Sequence, residues 1–373
     1  MSEYQYYEWI AVDRPLTEEE LEEVSGLSSH MDIATATQAV VTYSYGDFKH
    51  DRRAVLLKYF DAMLYAANWG SRELAFRFPV AAVDAKAIRA FCIEDRISLT
   101  REGEFQVLEI DLSEDEGSDW IDVEGILRRL VPLREQIIQG DYRALYMAWL
   151  AEREADEDED DEEEETTQPP VPAGLRKLTA AHKAFMQFFD IDSYLVKAAA
   201  ESSEALQPIS DQALAGALSL LPRQECDAFL LRVLQGETQV GSTLRKRLIK
   251  LAGFEKPAAS RRTPAPSELA ETAKRFVQEE QRRVQAEAER KRIQELEELS
   301  KRVEPTWTWV EKLIEQKQSK AYDQAVALLV NLRDLAVYQK RLPEFESRLI
   351  PLVNRYTSRR ALIERLRNAG LAQ

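Results

Sequence analysis

The run DEDEDDEEEE at residues 156–165 divides this 373-residue sequence into two parts of different character. Ten consecutive acidic side chains repel one another and bury no apolar surface. A compact fold therefore cannot offset the backbone entropy that ordering the run would cost. The sequence TTQPPVP follows directly at residues 166–172. We predict an acidic, Pro-rich linker at residues 154–174, with strands and helices before it and only helices after it.

Charge is distributed unevenly on the two sides of this run. Residues 1–165 hold 16 Lys and Arg against 40 Asp and Glu, a net charge of −24, whereas residues 166–373 hold 34 against 26, a net charge of +8. Such an asymmetry bears on partners and self-association rather than on fold. Three roles remain open for the acidic run: a passive spacer, a ligand for a basic partner, or a segment that covers the basic half of its own chain.

The cysteine content and the apolar pattern indicate a compartment. Cys92 and Cys226 lie in helical apolar patterns in different parts of the chain, which excludes a disulfide framework and suits a reducing cytoplasm. The start MSEYQYYEWI does not have the pattern of a signal peptide, and no window approaches the roughly 18 apolar residues of a membrane span. We expect a cytoplasmic protein that has no membrane partner.

Before the acidic run, strand and helix patterns alternate along the chain. Apolar residues spaced by three and four from Asp51 to Ala67 predict one buried helix, and Gly103 in a short connection predicts a hairpin. Thr17 followed by Glu20 predicts a capping box. These patterns predict an α+β domain at residues 1–153. Strands are predicted at 4–12, 38–45, 74–79, 97–100 and 105–112, and helices at 17–27, 51–67, 85–92 and 121–153, the last one broken near Gly140.

After the run the pattern predicts helices only. We expect a helical domain at 175–253, a basic Pro-rich hinge at 254–266, and a long helix followed by helical hairpins at 267–373. The long helix, from Ser267 to Val303, has sparse apolar positions, so it either bridges through solvent or forms a weak coiled-coil strand. Pro305 is expected to end it. The other helices are predicted at 179–189, 191–202, 210–221, 223–235, 238–252, 306–317, 319–338, 342–355 and 358–368.

One pair of these helices resembles a known repeat. The sequence KAYDQAVALLVNL (320–332), followed by LPEFESRL (342–349), looks like a helical hairpin of the tetratricopeptide type. Ala321, Tyr322 and Ala325 would lie where small residues let antiparallel helices approach closely. The resemblance implies a repeat-like, protein-binding C-terminal half.

Two further resemblances concern the ends of the chain. The region through LIERLRNAGL (362–371) is similar to the C-terminal helical tail of some bacterial proteins that carry a SWIM-type zinc finger, whose own Cys and His ligands are absent from this sequence. The N-terminal sequence YYEWIAVDRPL (6–16), with GDFK (46–49) and ANWG (67–70), resembles a group of uncharacterised bacterial proteins. These resemblances imply a bacterial origin and bring no activity with them.

Residues that could carry chemistry are few. Three histidines and two cysteines, widely scattered, do not predict a zinc site, and no phosphate-binding Gly-rich loop or nucleophile elbow is present. In the sequence DFKHD, His50 could act as a general base oriented by Asp47 or Asp51. The alternative is a turn in which Asp51 caps the helix that follows. The acidic groups Glu114–Glu116, Asp119 and Asp122 could bind a cation through oxygen ligands or simply form a solvated loop.

A basic patch near the C-terminus is the candidate nucleic-acid site. Phosphate binding requires basic side chains on one face, ideally beside an aromatic ring that can stack on a base. The patch consists of Arg355, Tyr356, Arg359, Arg360 and Arg365.

Two functional hypotheses follow from the sequence. The first is a non-enzymatic adaptor that binds protein partners through its helical half and that could also self-associate, with no cofactor and no metal. The alternative is a nucleic-acid-associated accessory protein whose basic patch is modulated by the acidic linker. An enzyme that uses His50 is a third hypothesis, which no accompanying motif supports.

Overall fold

The computed structural model describes residues 3–113, 123–155, 168–206, 210–253 and 263–372. The chain forms two compact units, Met1–Val277 and Gln278–Gln373. The acidic run and the predicted acidic groups at 114–122 lie outside the described residues.

The first unit contains an antiparallel sheet of seven strands, which confirms the predicted α+β class. The spatial order of the strands is β2-β3-β1-β4-β5-β7-β6. Tyr7 of the interior strand β1 lies opposite Val41 of β3 on one side and Tyr65 of β4 on the other. The strands are β1 Gln5–Ile10, β2 Met31–Ala34, β3 Gln38–Tyr43, β4 Ala62–Ala67, β5 Arg72–Pro79, β6 Ile97–Glu102 and β7 Phe105–Asp111.

Helices cover both faces of this sheet. Tyr6, Leu74 and Leu108 contribute to one hydrophobic core, whose helical residues come from the segments that follow the sheet. Trp9 and Met63, on the opposite face, pack with the two helices inserted between the early strands. The helices of the first unit are α1 Glu18–Ser25, α2 Arg52–Tyr59, α3 Ala85–Arg89, α4 Ile126–Leu130, α5 Pro132–Ile138, α6 Arg143–Ala155, α7 Ala180–Phe189, α8 Ser193–Ser202, α9 Asp211–Leu218, α10 Arg223–Leu234 and α11 Val240–Leu251.

The prediction of a single helix from Asp51 to Ala67 is wrong for the second half of this range. The helix ends at Tyr59, Phe60 is already extended, and the following residues form β4. All six residues of β4 are buried because helices cover both sheet faces, so the strand has no polar alternation that would distinguish it from a buried helix. The short edge strand β2 was not predicted. The capping box is confirmed, since Thr17 Oγ1 accepts from Glu20 N and Glu20 Oε2 accepts from Thr17 N.

The core on the α4–α8 side draws on residues from both sides of the predicted linker. Leu130 and Tyr146 precede the linker, whereas Phe185 and Leu195 follow it, and all four belong to one hydrophobic cluster with the sheet residues. The predicted domain boundaries at residues 153, 174, 253 and 266 stay predictions.

The helices α9, α10 and α11 form a module with a small core of its own. Ala217, Leu221 and Leu248 are its buried residues, and Cys226 and Phe229 of α10 pack against them. We call α9–α11 the three-helix module.

The second unit is helical throughout its described residues, as predicted. Trp307, Leu329 and Leu349 represent its hydrophobic core. The long helix α12 begins at Pro266, within the first unit, and ends at Ser300 in the second. Pro305 lies in the first turn of the next helix, where it needs no backbone N–H partner. The helices are α12 Pro266–Ser300, α13 Val303–Glu315, α14 Ser319–Tyr338, α15 Leu342–Arg355 and α16 Arg360–Asn368. Among the described residues, no helix is both long enough and apolar enough to cross a membrane.

A buried ionic network joins the elements of the first unit around Asp61. Asp61 Oδ2 accepts from the backbone N–H groups of Val12 (2.7 Å) and Asp13 (2.9 Å), and Oδ1 accepts from Arg77 Nη2 (2.8 Å). Arg134 of α5, 2 % exposed, donates two hydrogen bonds to the Asp13 carboxylate and lies 3.8 Å from Asp61. Burial alone would raise the pKa of Asp61, but Arg134, the Asp13 N–H and Arg77 together lower it below its ordinary value.

Replacing Asp61 by Asn should strongly destabilise the first unit, because the buried Arg77 guanidinium would lose its counter-charge and Arg134 would keep only Asp13. We expect the free energy of unfolding at neutral pH to fall by about 3–5 kcal/mol, measured by urea denaturation. The exposed Glu94→Gln is the control. Because the pKa is lowered in the folded state, the stabilisation is present above the unfolded-state pKa and is lost as the pH falls through the folded-state pKa. The difference in free energy of unfolding between wild type and Asp61→Asn should therefore decrease in acid. A difference that does not change with pH would contradict a lowered pKa of Asp61 in the folded state.

His182 should make stability depend on pH in a higher range. It is fully buried in α7 as part of a capping arrangement with Thr179, and burial, with a smaller contribution from Arg143, lowers its pKa to about 4. The neutral form is therefore favoured on folding, so its stabilisation is complete above the unfolded-state pKa of about 6.5 and is lost towards pH 4. His182→Gln keeps a capping-box side chain but does not titrate. We expect the stability difference between the two proteins to change by roughly 3 kcal/mol over this range, and parallel pH profiles would refute the buried neutral histidine.

Candidate functional site

A polar cleft lies where the β3–α2 connection meets the sheet. Its volume is about 350 Å³, and the start of α2 forms one wall while strands β1, β5 and β7 form the floor. The lining side chains are Tyr7, Phe48, His50, Asp51, Arg52, Arg53, Glu73 and Glu109.

Two Arg–Glu pairs hold the cleft together. Arg52 Nε and Nη2 donate to Glu73 Oε2 at 2.8 and 2.5 Å, and the Arg52 guanidinium lies 4.6 Å from the centre of the Tyr65 ring. Arg53 Nε lies 3.2 Å from Glu109 Oε1. Burial raises the pKa of both carboxyl groups, although the neighbouring guanidinium groups oppose the shift. The charges of this cleft are thus largely compensated from within the chain.

The predicted cluster of Asp47, His50 and Asp51 borders this cleft, but its members act separately. Asp47 Oδ1 accepts from the side-chain amide of Gln5 at 2.8 Å, and Asp51 Oδ1 accepts from the backbone N–H of Arg53 at 2.9 Å, capping α2. The exposed His50 ring packs 5.6 Å from that of Phe48. Within the described part of the chain, His50 has no hydrogen bond to either carboxylate, so the geometry does not assemble an oriented general base.

The residues of the predicted basic patch lie close together, and most of them have intramolecular partners. Arg355 pairs with Glu311 at 3.6 Å, and Arg365 pairs with Asp323 at 2.6 Å. Arg359 donates to the Ile314 carbonyl and lies 4.5 Å from the centre of the Tyr356 ring, which is itself buried. These contacts attach α15 and α16 to α13 and α14. Arg360 is the exposed member for which the described residues supply no ion-pair partner.

The cysteines and the possible metal ligands of the described residues form no site, and the acidic groups at 114–122 lie outside those residues. Cys92 and Cys226 are both free, and burial raises the pKa of the Cys92 thiol, which disfavours the reactive thiolate. Within the described ranges, no three His, Cys, Asp or Glu side chains are grouped so that they could hold a metal ion.

An exposed apolar surface on α10 is the feature that sequence reasoning missed. Leu230, Leu231, Val233 and Leu234 are 57, 57, 59 and 82 % exposed. We call these four residues the α10 surface. Helix α10 was predicted, but its apolar residues were not assigned to faces. Cys226 and Phe229 pack towards the module's core, so the C-terminal half of α10 presents apolar side chains both to this core and to solvent.

Polar contacts of α11 explain why α10 is exposed. Gln239 Nε2, at the start of α11, donates to Asp13 Oδ1 at 2.7 Å, and Ser242 Oγ donates to Glu135 Oε1 at 2.9 Å. Arg247 of α11 then pairs with Glu225 of α10 at 2.7 Å. The three-helix module is therefore attached to the rest of the first unit through α11, and the α10 surface faces solvent.

Comparison with known proteins supplies no further assignment. No family model matches the chain, and neither a curated protein nor a solved structure gives a match. The resemblances noted in the sequence stay predictions, and function has to be argued from the geometry.

Asp51 and His50 should respond differently to substitution if the cleft has the structural role described above. Asp51→Ala removes the N-cap of α2 and should lower the free energy of unfolding by about 1 kcal/mol. His50→Ala removes an exposed ring without a hydrogen-bond partner in the cluster and should change it by less than about 0.5 kcal/mol. Urea denaturation of both variants decides the matter, and a larger effect for His50→Ala would show that the ring holds the cleft together.

Proposed function

We propose that this protein is a non-enzymatic adaptor that binds protein partners through its helical half. The observation that carries the proposal is the α10 surface, four large apolar side chains that are more than half exposed on one helix. Isolated apolar residues are common on protein surfaces, but a contiguous patch is characteristic of an interaction site.

The energetics of the α10 surface suit a specific protein contact. Burying one Leu or Val side chain contributes about 1.5–3 kcal/mol, so four of them supply a substantial part of the free energy that association requires. Arg223 and Asp227, which pair with each other at 3.0 Å, lie at the N-terminal end of α10 and add a polar rim.

The second unit supports the same proposal by its architecture. Helices α13–α16 share one hydrophobic core, in which α14 packs against α13, α15 and α16. If the resemblance to tetratricopeptide repeats extends to function, such packed helices would form a binding surface. Three large apolar residues of this unit are each about half exposed, namely Trp309, Tyr338 and Ile350. The nucleic-acid alternative has less support, because Arg355, Arg359 and Arg365 are used within the unit. The proposal includes a cytoplasmic location in a bacterium, which the two free cysteines favour.

Site-specific photo-cross-linking in cells tests the proposal. A photoreactive amino acid at Leu234 should give protein adducts in high yield, because the side chain would contact the partner directly. The same amino acid at Val284, which is 54 % exposed on the charged helix α12, is the matched control and should give few. Equal or absent adduct formation at the two positions would contradict a docking role for α10.

A further inference from the structure

The α10 surface has a helical geometry that can be matched to an occupant. Leu230, Leu231 and Leu234 recur at the spacing that places side chains on one stripe of a helix, and Arg223 and Asp227 continue the stripe towards the N-terminus. Val233 flanks it. The middle of the stripe is thus apolar, and its only charges form an ion pair that is already compensated.

Charge argues against a strongly charged partner at this surface. Residues 211–253 carry six Lys and Arg against four Asp and Glu, whereas residues 1–165 carry a net charge of −24. Two copies of a chain with a net charge of −16 repel each other, and the repulsion is weakest where each copy presents a nearly neutral module. The three-helix module is therefore a favourable place for two copies to meet.

The exposed area is sufficient for such a contact. The fractional exposures of the four residues correspond to roughly 400 Å² of apolar surface, within the range of the largest patches found on monomers. Leu218 and Leu220, at the end of α9 and in the turn before α10, are 46 and 56 % exposed and bring the total to roughly 600 Å² per copy. A symmetric pair that covered all six side chains would bury about twice this area, which reaches the lower end of stable interfaces, about 1,200 Å².

We infer that the α10 surface binds the α10 surface of a second copy of this chain, in an isologous two-fold contact. A two-fold axis pairs the same patch on both copies, so an apolar stripe with a neutral polar rim is complementary to itself. This inference rests on the proposed function, and it identifies the protein that binds the α10 surface as a second copy of the chain. Dimerisation would present every other face of the adaptor twice, which raises the avidity for a repeated partner.

Analytical ultracentrifugation of the purified full-length chain tests the inference. We expect a sedimenting species of twice the chain mass that dissociates on dilution over roughly a hundredfold range of concentration. Leu234→Glu places two carboxylates in the symmetric contact and should raise the dimer dissociation constant by roughly 100-fold or more. Val284→Glu makes the same change of charge at a valine that is 54 % exposed on α12 and should leave the constant unchanged. Circular dichroism melting checks that both variants are folded.

The outcomes separate this inference from the proposed function. A wild-type chain that stays monomeric, or equal effects of the two substitutions, would overturn the dimer. If the Leu234 cross-link then joins the chain to a different protein, the adaptor proposal stands without the dimer. If Leu234 gives neither self-adducts nor adducts to another protein, both proposals fail.

Discussion

The buried carboxylate of Asp61 is the constraint on which the architecture of the first unit depends. A buried charge is tolerated only where hydrogen bonds and counter-charges surround it, and here they come from the end of β1, from Arg77 in β5 and from Arg134 in α5. These elements have to assemble together, because any one of them alone would leave an uncompensated group. The backbone N–H of Asp61 also donates to Ile10 O, which starts the pairing of β1 with β4. The same residue therefore lies just after the end of α2 and fixes the register of β1 with β4.

The polar cleft and the α10 surface both depend on the ionic network around Asp61. Since α2 ends at a fixed point, its first turn is held over the sheet, where Arg52 and Arg53 reach carboxylates of β5 and β7 and close the polar cleft. Asp13, which neutralises Arg134, also accepts a hydrogen bond from Gln239 at the start of α11. The network thus determines which side of the three-helix module faces the sheet domain. The exposure of α10 is a consequence of how α11 is attached and does not reflect a loose end of the fold.

The parts of the fold that local patterns predicted are those that local interactions determine. Helices α14 and α15 match their predicted ranges at both ends, and the β6–β7 hairpin follows its Gly-containing turn. Strand β4 could not be recognised, because its burial on both faces depends on helices distant in sequence. The polar cleft likewise could be predicted only where its residues are close together in the sequence. Its rim at Asp47–Asp51 is contiguous and was found, whereas Glu73 and Glu109 join it only through strand pairing. The exposure of α10 depends on which helix is anchored, and no local pattern contains that information.

The uneven charge of the chain affects where separate molecules can approach each other. A net charge of −24 over the first 165 residues opposes the approach of separate copies, and this repulsion counteracts association through an exposed apolar patch. The same repulsion restricts close approach to regions where acidic and basic residues are balanced. Helix α10 combines that balance with apolar exposure, with its polar residues paired as Arg223–Asp227 and Arg232–Glu237. The charge asymmetry first noticed at the acidic run therefore favours the helical part of the molecule for the contacts proposed above, because the apolar attraction is not opposed there.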